Sequence, residues 1–237
     1  MKASLPILVL FTVINFSGFA EEQKFDLQGA WQLEEGDSEH SLIIQNGFFF
    51  HTNYSKSPKN FIFSQGGTYT LSDNSIKAEI YFNTENKEQV GTELIATYSI
   101  EDNNLVIDID GERLSWKRVD KGTGLLAGIW RITGRMQDGK LTSIHQTGPR
   151  QTYKILSGNR FQWAAINPET KEFFGTGGGT YTFENGKYTE NIEFFSRDNN
   201  RVGASLSFDG KLENGKWHHS GLSSKGEKIY EVWSTVK

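Results

Sequence analysis

Two side chains of this 237-residue chain stand out as candidates for chemistry, Glu190 and His219. A carboxylate and an imidazole within reach of one another can exchange protons as general base and general acid. They can equally hold the polar end of a ligand. What marks them is a comparison of the chain with itself. Gly66-Gly67-Thr68-Tyr69-Thr70 returns as Gly178-Gly179-Thr180-Tyr181-Thr182, a shift of 112. The same shift lays Ile43 on Ile155, Phe49 on Phe161, Phe61 on Phe173, Ile80 on Ile192, Phe82 on Phe194 and Gly91 on Gly203. The chain is an internal duplication, a signal to be read before any other. Under this register Ala78 and Ile107 of the first copy become Glu190 and His219 of the second.

Buried polar groups are costly unless they pair or meet a partner. The inward residues expected around Glu190 and His219 are Tyr188, Ile192, Phe194 and Trp217, and Trp163 is added to them. Glu190, His219, Tyr188, Phe194, Trp217 and Trp163 are therefore the candidate ligand-facing set, and no catalytic residue is assigned. Other constellations carry less. Gly175-Thr176-Gly177-Gly178-Gly179 leads into a strand, whereas phosphate loops lead into a helix N-terminus, so a bulge or close strand approach is expected there. His218 and His219 point to opposite faces of a strand. No spacing suited to zinc appears, and no metal or cofactor is expected.

The elements that must position these residues are short strands. Leu27, Gly29, Trp31 and Leu33 share one face of the first. Ser41 to Gln45 and Phe48 to Asn53 flank Asn46-Gly47, the strongest two-residue hairpin signal. Strands alternating in polarity follow through Ile80, Ala96, Ile107 and Trp116, each separated by turn residues. Eight such antiparallel strands close into an up-and-down barrel or pack as a sandwich, and short hairpins throughout favour closure. The expected fold is all-β: two tandem antiparallel up-and-down barrels of about eight strands each, at residues 26–119 and 124–237. Residues 120–124 read as a short flexible linker. Leu126-Ala127-Gly128-Ile129-Trp130 repeats Leu27-Gln28-Gly29-Ala30-Trp31 at a shift of only 99, so the second copy carries 13 extra residues in its first connection. Large connections at one barrel end belong to the mouth.

Residues 1–20 combine Lys2, the apolar run from Leu5 to Ile14, and small Gly18 and Ala20. That pattern predicts a secretory signal peptide cut after Ala20, too short for a membrane span. The remainder is secreted or periplasmic on this reading. Its formal charge moves from −4 to −5, because Lys2 is the only charge removed. No basic stripe suits nucleic acid. The absence of Cys excludes disulfides, zinc-thiolate sites and a Cys nucleophile.

Leu-x-Gly-x-Trp in the first strand of a secreted eight-strand meander, present in both copies, resembles the lipocalin-like (calycin) barrels, particularly the uncharacterised lipocalin-like domains of secreted bacterial proteins. The resemblance implies that Trp31 and Trp130, with Gly29 and Gly128, are structural, and that Arg118 of the last strand stacks on Trp31. In the second copy Trp233 or Ser234 is expected at that place, so its base must close differently. The resemblance also implies a small hydrophobic or amphipathic partner molecule, here expected in the second barrel. A non-catalytic envelope or interaction module with side-chain-filled barrels is an alternative reading. An isomerase or hydrolase using Glu190 and His219 is another.

Overall fold

A computed structural model describes residues 26–144, 148–223 and 226–236. The expected signal segment, residues 1–20, lies outside the described residues.

The first half forms β1 (Gly29–Glu35), β2 (Ser38–Gln45), β3 (Phe48–Lys56), β4 (Lys59–Ser72), β5 (Ser75–Asn83), β6 (Glu93–Glu101), β7 (Asn104–Ile109) and β8 (Glu112–Asp120). Each strand pairs with the next, and β8 returns to β1 through Trp31 opposite Arg118, so the barrel is closed. The second half forms β9 (Gly128–Gln137), β10 (Lys140–Ser143), β11 (Gln151–Leu156), β12 (Arg160–Asn167), β13 (Glu172–Glu184), β14 (Lys187–Phe195), β15 (Ser205–Glu213), β16 (Lys216–Leu222) and β17 (Lys228–Thr235). Here β9 and β11 to β17 close the barrel, with Trp130 opposite Thr235. β10 is an additional strand hydrogen-bonded to β9, and it accommodates part of the 13-residue excess. Both halves are thus antiparallel up-and-down barrels of eight strands. Asn46-Gly47, Asp110-Gly111, Asp138-Gly139, Asn185-Gly186 and Asn214-Gly215 all take positive φ at both turn positions, the geometry that two-residue hairpins need.

The repeated glycines are explained by contact. A Cβ on Gly67 would lie 1.8 Å from Glu79 O, and one on Gly179 2.1 Å from Asn191 O. At both places the partner strand bulges, between the pairs Gly66–Phe82 and Gly67–Ile80 in the first barrel and Gly178–Phe194 and Gly179–Ile192 in the second. The extra residue forces the strands together, and only glycine fits.

The bulge has a second effect. It carries Phe82 and Phe194 from the inner to the outer wall. The outer faces of β2 to β5 and β11 to β14 are then apolar, and they pack on each other. Ile43, Phe50 and Phe82 form one buried cluster with Ile129, Tyr153, Ile155, Ala164 and Ile166. The rings of Phe82 and Phe173 stack at 6.0 Å, and Tyr54 meets Phe194 at 5.1 Å. Ile43 and Ile155 are repeat equivalents and share this cluster, so the contact is close to two-fold. A polar seam borders it. The Tyr54 hydroxyl lies 2.5 Å from Glu39 Oε1 and 2.7 Å from Glu193 Oε2, and Arg160 Nη1 donates to Glu193 at 2.5 Å. Gln162 Nε2 donates across the contact to Ser64 Oγ at 2.8 Å.

The expectation of a flexible connection between the barrels is corrected by Asp120. Its carboxylate accepts from Gly122 N, Ser157 Oγ, Gly158 N and Asn159 N at 2.7 to 3.0 Å, while Gln45 Nε2 donates to Gly122 O. These bonds tie residues 120–122 to both barrels.

Candidate functional site

Each barrel is closed at one end by its first tryptophan. Trp31 Nε1 donates to Leu27 O at 3.0 Å, and Trp130 Nε1 to Leu126 O at 2.9 Å. The Arg118 guanidinium stands 4.0 Å over the Trp31 ring and donates to Gln28 O and Asp26 O. Gly29 makes this closure possible, since a Cβ there would sit 2.2 Å from Asp120 O. Gly128 occupies the equivalent place with φ 142°. In the second barrel the residue opposite the tryptophan is Thr235, rather than the expected Trp233 or Ser234. Alignment of the last strands on their tryptophans, Trp116 and Trp233, likewise sets Arg118 on Thr235. Among the described residues no guanidinium stands over the Trp130 ring. Trp217 packs against it edge to face, at 5.9 Å.

Above that floor the barrels differ. In the first, a cavity of about 180 Å³ is lined mainly by apolar groups, including Leu42, Ala78, Ile107 and Leu114. At its side His40 Nδ1 and His51 Nε2 lie 3.0 Å apart with their rings stacked. Burial, reinforced by the neighbouring His40, pushes the His51 imidazole down to about 3. In the second barrel the residues equivalent to those four apolar ones are Lys154, Glu190, His219 and Glu231, and all four line a cavity of about 280 Å³.

These four groups have a definite arrangement. Lys154 Nζ donates to Glu190 Oε1 at 2.7 Å, both side chains being buried. The ammonium also stands 5.1 to 5.7 Å from the ring centroids of Phe161, Tyr188, Trp217 and Trp233, within cation–π range. Glu231 Oε1 accepts from Arg135 Nη2 at 2.6 Å, and its Oε2 accepts from Trp233 Nε1 at 3.2 Å. Burial pushes the Glu231 carboxyl up, but His219, Arg135 and Lys154 outweigh it and hold the group at about 2. His219 Nδ1 is 3.5 Å from Glu231 Oε2, too long for a good hydrogen bond. Its Nε2 has no hydrogen-bond partner among the described residues. Burial, with the Lys154 charge, lowers the His219 imidazole, so it is neutral near pH 7.

The expected ligand-facing set is divided by this geometry. Glu190, His219 and Trp163 line the cavity. Tyr188 and Trp217 point inward but lie in the fully buried layer around the Lys154 ammonium. Phe194 is a correction: the bulge at Glu193 places it on the outer wall against Tyr54, and Phe195 takes the inward position beside Trp163. Glu190 and His219 are not each other's partners either, since Lys154 holds the first and Glu231 faces the second. Sequence reasoning missed Lys154 and Glu231. The repeat register contained both, by setting Lys154 on Leu42 at the shift of 112 and Glu231 on Leu114 at the tryptophan of the last strand. Among the described residues, no group of three or more His, Asp or Glu side chains is placed to hold a metal ion. None of their helices is long and apolar enough to cross a membrane.

The two tandem closed barrels fit a calycin-like fold. No protein-family model matches the chain, and no curated protein sequence matches it. Among solved structures, the crystal structure of the uncharacterized protein YLR301w from Saccharomyces cerevisiae is similar at 12% identity and a TM-score of 0.45, with 88% of this chain and 98% of that one covered.

Proposed function

We propose that this is an exported, lipocalin-like binding protein that takes a small, partly apolar molecule into its second barrel. The observation that carries the reading is His219, a buried neutral imidazole that lines a 280 Å³ cavity and whose Nε2 makes no hydrogen bond among the described residues. Buried polar atoms are almost always satisfied, and a mostly apolar pocket with a few convergent polar groups is the usual form of a small-molecule site. Apolar area comes from Ile132, Ile192, Phe195, Leu206, Phe208 and Ile229. Export rests on the apolar run and small residues of positions 5–20.

Native mass spectrometry of the protein purified from its own host tests binding directly. A retained added mass that disappears on denaturation is expected, on a chain beginning at Glu21. Detection of the bare chain alone would count against binding, and an intact Met1 against export.

A further inference from the structure

The charges of the second cavity are paired internally. Lys154 is held by Glu190 at 2.7 Å and Arg135 by Glu231 at 2.6 Å. Arg201, at the rim as the last residue of the 3₁₀ turn Asn199–Arg201, has Asp198 at 3.6 Å. Among the described residues three cations therefore face three carboxylates, and the remaining ionisable group of the lining, His219, is neutral near pH 7. A charged ligand would have to draw one of these side chains away from its partner. For Glu190 and Glu231 that leaves a buried carboxylate unpaired, the costly way to break an ion pair, whereas Asp198 at the rim stays half-exposed. An uncharged ligand disturbs none of them.

The histidine adds a second restriction. Glu231 Oε2 faces Nδ1, which favours the tautomer with the proton on Nδ1 and leaves Nε2 as an acceptor. A ligand that satisfies Nε2 must bring a hydroxyl or N–H. Size gives a third: an apolar cavity of about 150 Å³ accommodates one benzene ring, and this one is about twice as large.

Resting on the binding function proposed above, we infer that the second barrel selects an uncharged, bicyclic-sized molecule carrying one hydrogen-bond donor, and rejects organic acids and amines of the same shape. Charge pairing within the wall sets the selectivity, and His219 reads the donor.

Four naphthalene probes with the same ring test this on the full mature chain by isothermal titration at pH 7.5: 2-naphthalenemethanol, its methyl ether, 2-naphthoate and 2-naphthylmethylammonium. The alcohol should bind at least tenfold tighter than each of the other three. In His219→Phe the alcohol should lose its advantage over the ether. Glu190→Gln leaves Lys154 without its carboxylate, so 2-naphthoate should gain at least tenfold over its affinity for the unsubstituted chain. Preference for the acid or the amine, or equal binding of alcohol and ether, overturns the inference and leaves the binding function standing. Failure of all four probes to bind, with a bare chain in the native mass spectrum, overturns both. The comparison among probes on the unsubstituted chain decides the matter even if a variant does not fold.

Discussion

Lys154 Nζ and Glu190 Oε1 lie 2.7 Å apart inside the second barrel, at the positions that Leu42 and Ala78 hold in the first. One architecture is thus realised with two interiors, one nearly all apolar and one with ion pairs across its cavity. The contrast makes the energetic role of the pair measurable. Lys154→Met removes one partner and strands a buried carboxylate, which should cost about 3–5 kcal/mol. The double variant Lys154→Leu with Glu190→Ala restores the residues of the first barrel. It should recover most of that loss, since replacing both members of a buried pair is often neutral. Urea unfolding of the three proteins checks this. A double variant as unstable as Lys154→Met would mean that the pair is needed for packing and not only for charge balance.

Acid should destabilise the protein through His51 and His219. The His51 imidazole is pushed down to about 3, below its usual 6.5. The unfolded chain therefore takes up this proton below pH 6.5, while the folded chain refuses it until about pH 3. Stability is fully present above pH 6.5 and is lost as pH falls, at about 1.4 kcal/mol per pH unit for this group. His219 is shifted in the same direction. Glu231, held at about 2 instead of 4.5, adds a further loss between those two values. Between pH 7.5 and 4.5, His51→Gln should show a stability loss smaller than the unsubstituted chain's by about 3 kcal/mol. Equal losses in the two proteins would remove His51 as a cause.

Much of the fold was legible because strand alternation and hairpin dipeptides are local signals. Asn46-Gly47 and its counterparts fix the register of each hairpin, and the repeat supplied every pair twice. The site was legible only where the period of two held. At Glu193 an extra residue changes the face, so Phe194 reads as inward from its spacing to Ile192 and is not. Lys154 sits in a strand whose alternating neighbours, Tyr153 and Ile155, are apolar, which makes the lysine look like the solvent side. In fact the apolar face packs on the first barrel and the lysine faces inward. A face that packs on another domain cannot be told from a face that packs on its own core by periodicity alone.

The two barrel floors should respond differently to substitution. Trp31→Ala and Trp130→Ala each empty a buried site and should cost about 3–5 kcal/mol. Arg118→Ala removes a half-exposed cation from the Trp31 face and two bonds to Asp26 O and Gln28 O. A loss of about 1 kcal/mol is expected from the cation–π contact. Thr235→Ala, at the equivalent place over Trp130, should change stability by no more than about 0.5 kcal/mol. Thermal denaturation resolves these differences. A loss at Thr235 as large as at Arg118 would show that the last strand closes both floors alike.

The contact between the barrels sets the last expectation. We expect each half to close its own barrel when expressed alone, because β1 pairs with β8 and β9 with β17 without crossing between halves. The isolated first half, residues 21–121, would nevertheless present Ile43, Phe50 and Phe82 to water, each contributing about 1.5–3 kcal/mol when buried. Because Ile43 and its repeat equivalent Ile155 share one buried cluster in the intact chain, that surface is nearly self-complementary, the condition for a two-fold dimer. The half should therefore keep a β-sheet circular-dichroism signature while sedimenting as a dimer or larger. In the intact chain, Tyr54→Phe removes the single hydroxyl that serves both Glu39 and Glu193. It should cost about 1.5–3 kcal/mol, the worth of a hydrogen bond to a charged group, since Arg160 still donates to Glu193 and Lys56 still pairs with Glu39. A monomeric half, together with a Tyr54→Phe protein as stable as the parent, would mean that the barrels stand next to each other without stabilising one another.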